Sequence, residues 1–120
     1  MPKYSADQVY KLLSPHSLTD EQRAVVEGAA FDAPTLVIAG AGSGKTELMT
    51  VRVLYLIANS MAEPGEILGL TFTRKAASEL SKRINNGLRK YASYYFYCTN
   101  RNCTLELNIF RWNYFYICNN

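Results

Sequence analysis

The sequence predicts an α/β fold built on a single βαβ unit, and three observations predict it. The run Thr35-Leu36-Val37-Ile38-Ala39 is continuously apolar and rich in branched residues, the pattern of a strand covered on both faces. It passes directly into a glycine-rich turn and then into a stretch from about Gly44 to Asn59. There Leu48, Val51, Val53, Leu54, Leu56 and Ile57 make a helix that is apolar nearly all round and expects burial. A second strand-like run, Ile67-Leu68-Gly69-Leu70-Thr71-Phe72, follows a polar break at 60–65 containing Pro64-Gly65. Parallel strands need a crossover of a dozen or more residues, usually a helix, and the segment between the two runs is right for one.

Two short helices are expected ahead of this unit. Each opens with a capping-box pattern: Ser5-x-x-Gln8, and Thr19-x-x-Gln22 leading into Arg23-Ala24-Val25-Val26, with Ser14-Pro15-His16-Ser17 between them. After the second strand, a helix from Thr73 sets Ala77, Leu80 and Ile84 on one face and Lys75, Lys82 and Arg83 largely away from it. It is expected to fade near Asn85-Asn86-Gly87. Beyond about Tyr91 the composition changes abruptly. Tyr94 to Tyr97, Phe110, Trp112 and Tyr114 to Tyr116 crowd in with asparagine and all three cysteines, while glycine and proline vanish. A hairpin around Thr99-Asn100-Arg101-Asn102 fits the β-propensity, although its turn chemistry is weak without glycine. The organisation expected is therefore an N-terminal helix and linker at 1–17, an α/β segment at 18–88 and a divergent tail at 89–120.

A chain of 120 residues is about one domain, able to bury roughly two thirds of its unfolded surface. A net charge of +3 is too small to imply a nucleic-acid partner, which must be argued from a site. No apolar run approaches the roughly 20 residues needed to span a bilayer, and the start Met1 to Asp7 has no apolar stretch behind its lysine. No membrane association and a cytoplasmic location are expected. Cys98, Cys103 and Cys118 are irregularly spaced with no histidine nearby, which suits unpaired thiols. His16, the only histidine, is assigned to a loop.

The stretch Ala39-Gly40-Ala41-Gly42-Ser43-Gly44-Lys45-Thr46 lies between an apolar run and a helix, where a phosphate-binding loop must lie. Glycines let the backbone curl so that successive N–H groups point at phosphate oxygens, in a conformation a Cβ would obstruct; Gly42 and Gly44 are the candidates. The helix that follows presents unpaired N–H groups and a partial positive charge, Lys45 adds a full charge, and Thr46 offers a hydroxyl to Mg2+. The plain alternative is a glycine-rich turn with an incidental lysine. The agreement of strand, loop, Gly-Lys-Thr and helix favours the phosphate site.

With these residues in view, the chain resembles the amino-terminal segment of UvrD-like superfamily 1 DNA helicases, whose loop takes the form Ala-x-x-Gly-x-Gly-Lys-Thr. Two further stretches resemble that family in the expected order: Leu18-Thr19-Asp20-Glu21-Gln22, and Thr71-Phe72-Thr73-Arg74-Lys75-Ala76-Ala77. The wording around Leu68 to Phe72 also resembles the motor subunits of bacterial helicase-nuclease complexes. The resemblance implies a partial RecA-like P-loop NTPase unit that binds ATP with Mg2+ and carries a non-family aromatic tail. It implies Gln22 on the adenine, although Gln22 is equally the third residue of a capping box. It implies Phe72 stacking on a base of single-stranded DNA, with Thr73, Arg74 and Lys75 approaching its backbone. The plain alternative makes Phe72 the end of a buried strand and Arg74-Lys75 a solvated first turn. Glu47 departs from the family, where many members carry a basic residue.

The resemblance covers roughly Ser17 to Ile84. Phosphoryl transfer needs a carboxylate to hold the magnesium, a group to orient water and usually an arginine. After Phe72 the only acids are Glu79 and Glu106, neither in the family's paired-acid pattern. The expectation is an ATP-binding segment of a helicase involved in DNA unwinding and repair, truncated and unable to unwind alone. Two alternatives stand beside it: a nonenzymatic nucleotide-binding module docking onto another helicase or helicase-nuclease subunit, and a nonfunctional remnant of an interrupted helicase gene.

Overall fold

The computed structural model describes residues 2–28, 36–40, 42, 44–63 and 66–99. These residues hold four helices: α1 (Ala6–Tyr10), α2 (Asp20–Glu27), α3 (Lys45–Ala58) and α4 (Arg74–Thr99). The chain divides into two compact units, Met1–Met61 and Ala62–Asn120.

In the first unit both short helices begin at the capping boxes that the sequence predicts. Gln8 N donates to Ser5 Oγ at 3.2 Å while Ser5 N donates to Gln8 Oε1 at 2.8 Å, so two otherwise orphaned helix-start donors are satisfied reciprocally. Thr19 and Gln22 repeat the exchange at 3.2 and 3.0 Å. Both helices pack on α3. The core they enclose consists of Ala6, Val9 and Tyr10 from α1, Leu18 and Val26 from around α2, and Val51, Leu54, Tyr55 and Ala58 from α3. The α3 residues recur at spacings of three and four, so one stripe carries the burial, while Leu48, Val53, Leu56 and Ile57 are only half-buried. Thr50, also in this stripe, satisfies its hydroxyl by donating to Thr46 O at 3.0 Å.

Polar side chains tie the helix ends together. Ala6 N, at the start of α1, donates to Glu27 Oε1 at 2.9 Å, and Asn59 at the end of α3 pairs with the Tyr4 backbone through 2.7 and 3.1 Å bonds. Asp7 receives Arg23 Nε at 2.7 Å and Leu18 N at 3.4 Å, while Arg23 also reaches Asp20 at 2.7 Å. The Arg23 guanidinium holds the Asp7 carboxyl below its ordinary value of 3.8. A depressed carboxylate stabilises the fold above its unfolded pKa and stops doing so as pH falls through the lower folded value. Thermal midpoints measured against pH are therefore expected to drop on the acid side of pH 3.8 more steeply in the parent than in Asp7→Asn, with a neutral-pH difference below about 1 kcal/mol.

In the second unit, α4 follows Thr73, whose hydroxyl accepts from Ala76 N at 3.1 Å, and runs for 26 residues from Arg74. Leu80, Ile84 and Leu88, four residues apart, form its buried stripe. The expected fading at Asn85-Asn86-Gly87 does not occur. Gly87 costs the helix about 1 kcal/mol relative to alanine, but it lies buried beside Ile84 and Leu88, and Asn85 Nδ2 donates to Ser81 Oγ at 3.4 Å. Stripe burial outweighs local propensity. The hairpin expected around Thr99–Asn102 falls outside the described residues, except Thr99, which ends α4.

The α/β class is overturned. Among the described residues there is no strand: 36–40 and 67–69 are irregular and Leu70 makes only an isolated bridge, so no βαβ unit is formed. Leu36 and Ile38 are 83% and 87% exposed and Leu68 is 67% exposed. The branched residues carried the prediction, but β-propensity measures fit to a pleated surface with neighbours on both sides, and two such runs alone do not make a stable sheet.

Candidate phosphate-binding site

The loop from Ala39 to Gly44 leads into the first turn of α3. Gly42 and Gly44 have φ of +76° and +80°, the left-handed region that side chains resist by about 1 to 2 kcal/mol per residue. A Cβ at either would meet nothing within 4 Å, so backbone conformation rather than crowding selects glycine there. Gly44 is the N-cap of α3 and supplies no side-chain acceptor. The first-turn N–H groups of α3 thus lack a side-chain cap and carry the positive end of the helix dipole toward the loop.

Lys45, the first residue of α3, folds back across the loop and donates from Nζ to Ala39 O at 2.8 Å. One ammonium therefore bridges both ends of the turn. Thr46 is half-exposed beside it. Ala41 and Ser43 lie outside the described residues; Gly40 is exposed, with room for a Cβ. Two left-handed glycines, a helix start without a side-chain cap, an ammonium and a half-exposed hydroxyl suit an anionic phosphate with an accompanying hard cation. No cluster of three or more metal-ligating side chains occurs among the described residues.

Gln22 sits in the first turn of α2, which packs on α3. Its Oε1 accepts from Thr19 N, so the capping role is realised, and among the described residues it makes no hydrogen bond to the loop. Among the described residues the side-chain amide keeps both Nε2 hydrogens and a second Oε1 lone pair.

Two contacts escaped sequence reasoning. The buried Tyr10 donates its hydroxyl to Glu47 Oε1 at 3.2 Å, which links α1 to the turn after Thr46 and gives Glu47 a structural partner. Arg52 reaches from α3 to Val26 O and, at 2.9 Å, to Gly28 O, capping the C-terminal end of α2. Gly28 itself admits no side chain, because a Cβ would lie 2.5 Å from Ala24 O. A signal for Arg52 existed: it is the only charge between Leu48 and Ala58, and a cation on a packed helix must find acceptors. Arg52→Ala is expected to cost about 2 kcal/mol, the scale of hydrogen bonds to a charged group, and to lower the thermal midpoint, with Arg52→Lys intermediate.

In the second unit Phe72 is 80% exposed, and Thr73, Arg74 and Lys75 are exposed with it. Phe72 does not close a buried strand. Thr73 spends its acceptor on the α4 cap, while Thr71 Oγ1 donates to Thr73 O at 3.0 Å.

The UvrD/REP helicase N-terminal domain family matches residues 18–111. That span runs well past Ile84 and takes in much of the aromatic segment expected to lie outside the family. Similar proteins include a probable DNA helicase II homolog of Rickettsia conorii, 41% identical over 76 residues, covering 63% of this chain and 11% of that protein. An ATP-dependent DNA helicase UvrD1 of Mycobacterium bovis is 44% identical over 79 residues, 66% of this chain and 9% of its own length. DNA helicase II of Haemophilus influenzae is 47% identical over 77 residues, 64% and 10% respectively. The chain thus spans about a tenth of the length of the curated relatives it matches.

Proposed function

Because the chain belongs to the UvrD/REP helicase N-terminal domain family, we propose that its loop and α3 start form an ATP site of a DNA helicase motor acting in the cytoplasm in DNA unwinding and repair. Lys45 and the backbone N–H groups of Gly40, Ala41, Gly42, Ser43 and Gly44 hold the terminal phosphates, with Ala39 at the loop's entrance. Thr46 offers its hydroxyl to Mg2+, which when bound offsets phosphate charge. Gln22 turns its free Nε2 toward the adenine, and Phe72, Thr73, Arg74 and Lys75 meet single-stranded DNA.

The observation that carries this reading is the Lys45 ammonium lying across a turn in which Gly42 and Gly44 are left-handed. An anion entering the turn exchanges one backbone carbonyl for charged phosphate oxygens, a stronger acceptor for the same ammonium. Binding of Mg-ATP is the activity these residues support.

The test is a competition for a fluorescent ATP analogue in the presence of Mg2+. Unlabelled ATP and ADP should displace it and adenosine should not, because the phosphates supply the anchoring charge. Equal displacement by adenosine would place the affinity in a base pocket and sink the phosphate-loop assignment.

A further inference from the structure

The exposed face of α4 carries a charge pattern that the nucleotide site does not use. Between Arg74 and Lys90 there are six cations, Arg74, Lys75, Lys82, Arg83, Arg89 and Lys90, against one acid, Glu79, a net +5. The whole chain is net +3, so everything outside this helix segment is net −2. All six side chains are exposed, and among the described residues none forms an ion pair.

Their spacing is regular. Lys75, Lys82 and Arg89 recur every seven residues, and Arg83 and Lys90 repeat the interval one position on. Seven residues are close to two helical turns, so each row is nearly straight, drifting about 20° per repeat. At 1.5 Å per residue, Lys75 to Arg89 spans about 21 Å. The buried stripe of Leu80, Ile84 and Leu88 lies on the other side of the helix, so burial itself turns the cations outward. A solvated helix face ordinarily mixes its signs about evenly, whereas here Glu79, exposed between Lys75 and Arg83, is the one acid among six cations.

At the N-terminal end of this row stands Phe72, the exposed aromatic. An exposed ring followed by a line of unpaired cations is the arrangement that holds a single strand, with a base on the ring and phosphates along the charges. We propose that the outer face of α4 is a phosphate rail for single-stranded DNA, in which a strand stacked on Phe72 continues along Lys75, Lys82 and Arg89, flanked by Arg83 and Lys90. The rail rests on the assignment of Phe72 to DNA made above, and extends that contact by two helical repeats. An acidic protein segment would use the cations but have no use for the ring.

The full chain is titrated with fluorescein-labelled oligothymidylate of two lengths, one reaching only Phe72 and one long enough to follow α4, by anisotropy over a range of salt. The parent should favour the long strand. The double variant Lys82→Gln/Arg89→Gln should lose that preference and flatten the logarithmic salt slope by about 1.4, from about 0.7 per phosphate contact removed. Lys82→Arg/Arg89→Lys should retain both. Phe72→Ala should weaken both lengths and leave the slope unchanged. An unaltered slope and length preference in the double variant would overturn the rail, while loss of binding in Phe72→Ala would keep the stacking assignment. Competition by polyglutamate as effective as by DNA would overturn the rail in favour of an acidic partner. Absence of DNA binding by the parent would overturn both. Circular dichroism of each variant should match the parent, since the altered side chains are exposed.

Discussion

Replacing Lys45 with alanine is expected to weaken Mg-ATP binding about ten- to a hundredfold. Hydrogen bonds to a charged group contribute about 1.5 to 3 kcal/mol, and each 1.4 kcal/mol is a factor of ten in Kd. The side chain is half-exposed and its only hydrogen bond among the described residues is to Ala39 O. Its removal therefore leaves the core untouched, and the nucleotide-free thermal midpoint should move little. Isothermal calorimetry of parent and variant measures the ratio directly. An unchanged Kd with an intact fold would mean that the ammonium serves only as a clasp on its own loop.

Leu54→Ala is expected to act in the opposite way, on the fold first and the site second. Leu54 is 2% exposed on the face of α3 that α1 and α2 cover. Truncating such a leucine costs about 2 to 5 kcal/mol, the spread depending on how far the site collapses. Stability runs at roughly 0.05 to 0.15 kcal/mol per residue, so a unit this small has only a few kcal/mol in total. The variant should unfold at or near room temperature, or retain a broad transition far below that of the parent. Because the loop depends on α3 for its uncapped start, binding should fall with the folded fraction. Excess Mg-ATP should restore part of the lost midpoint through linkage.

Locally encoded features of this chain were legible in its sequence. The Ser5/Gln8 and Thr19/Gln22 boxes need only residues three apart, and both formed. The start of α3 was legible for the same reason: Gly44 in a left-handed conformation ahead of Lys45 is a property of a few adjacent residues. The lack of strands among the described residues was not legible, because Leu36 to Ala39 and Ile67 to Phe72 resemble strands by composition, and composition does not supply neighbours to pair with. The far end of α4 was misjudged in the other direction. Asn85 and Gly87 argue locally for a stop, whereas the Leu80, Ile84 and Leu88 stripe argues over a longer range for continuation, and the stripe prevails.

At the site, the residue types and their order could be read, but not their couplings. Nothing in the letters says that Tyr10 meets Glu47 or that Arg52 closes the end of α2, because each joins elements far apart in sequence. Gln22 illustrates the limit. Its position in a capping box and its match to the family's glutamine were both visible, and the capping bond is made at 3.0 Å. The lone pair and two hydrogens left over are what an adenine would use.

The most direct measurement is thermal unfolding of the full chain with and without Mg-ATP. A ligand that binds only the native state raises stability by RT ln(1 + [L]/Kd), about 2.7 kcal/mol at a hundredfold excess over Kd. A phosphate site held by Lys45 gives a cooperative transition that climbs with Mg-ATP concentration in the parent and stays fixed in Lys45→Ala. A cooperative transition indifferent to Mg-ATP, or the absence of any cooperative transition, would contradict it.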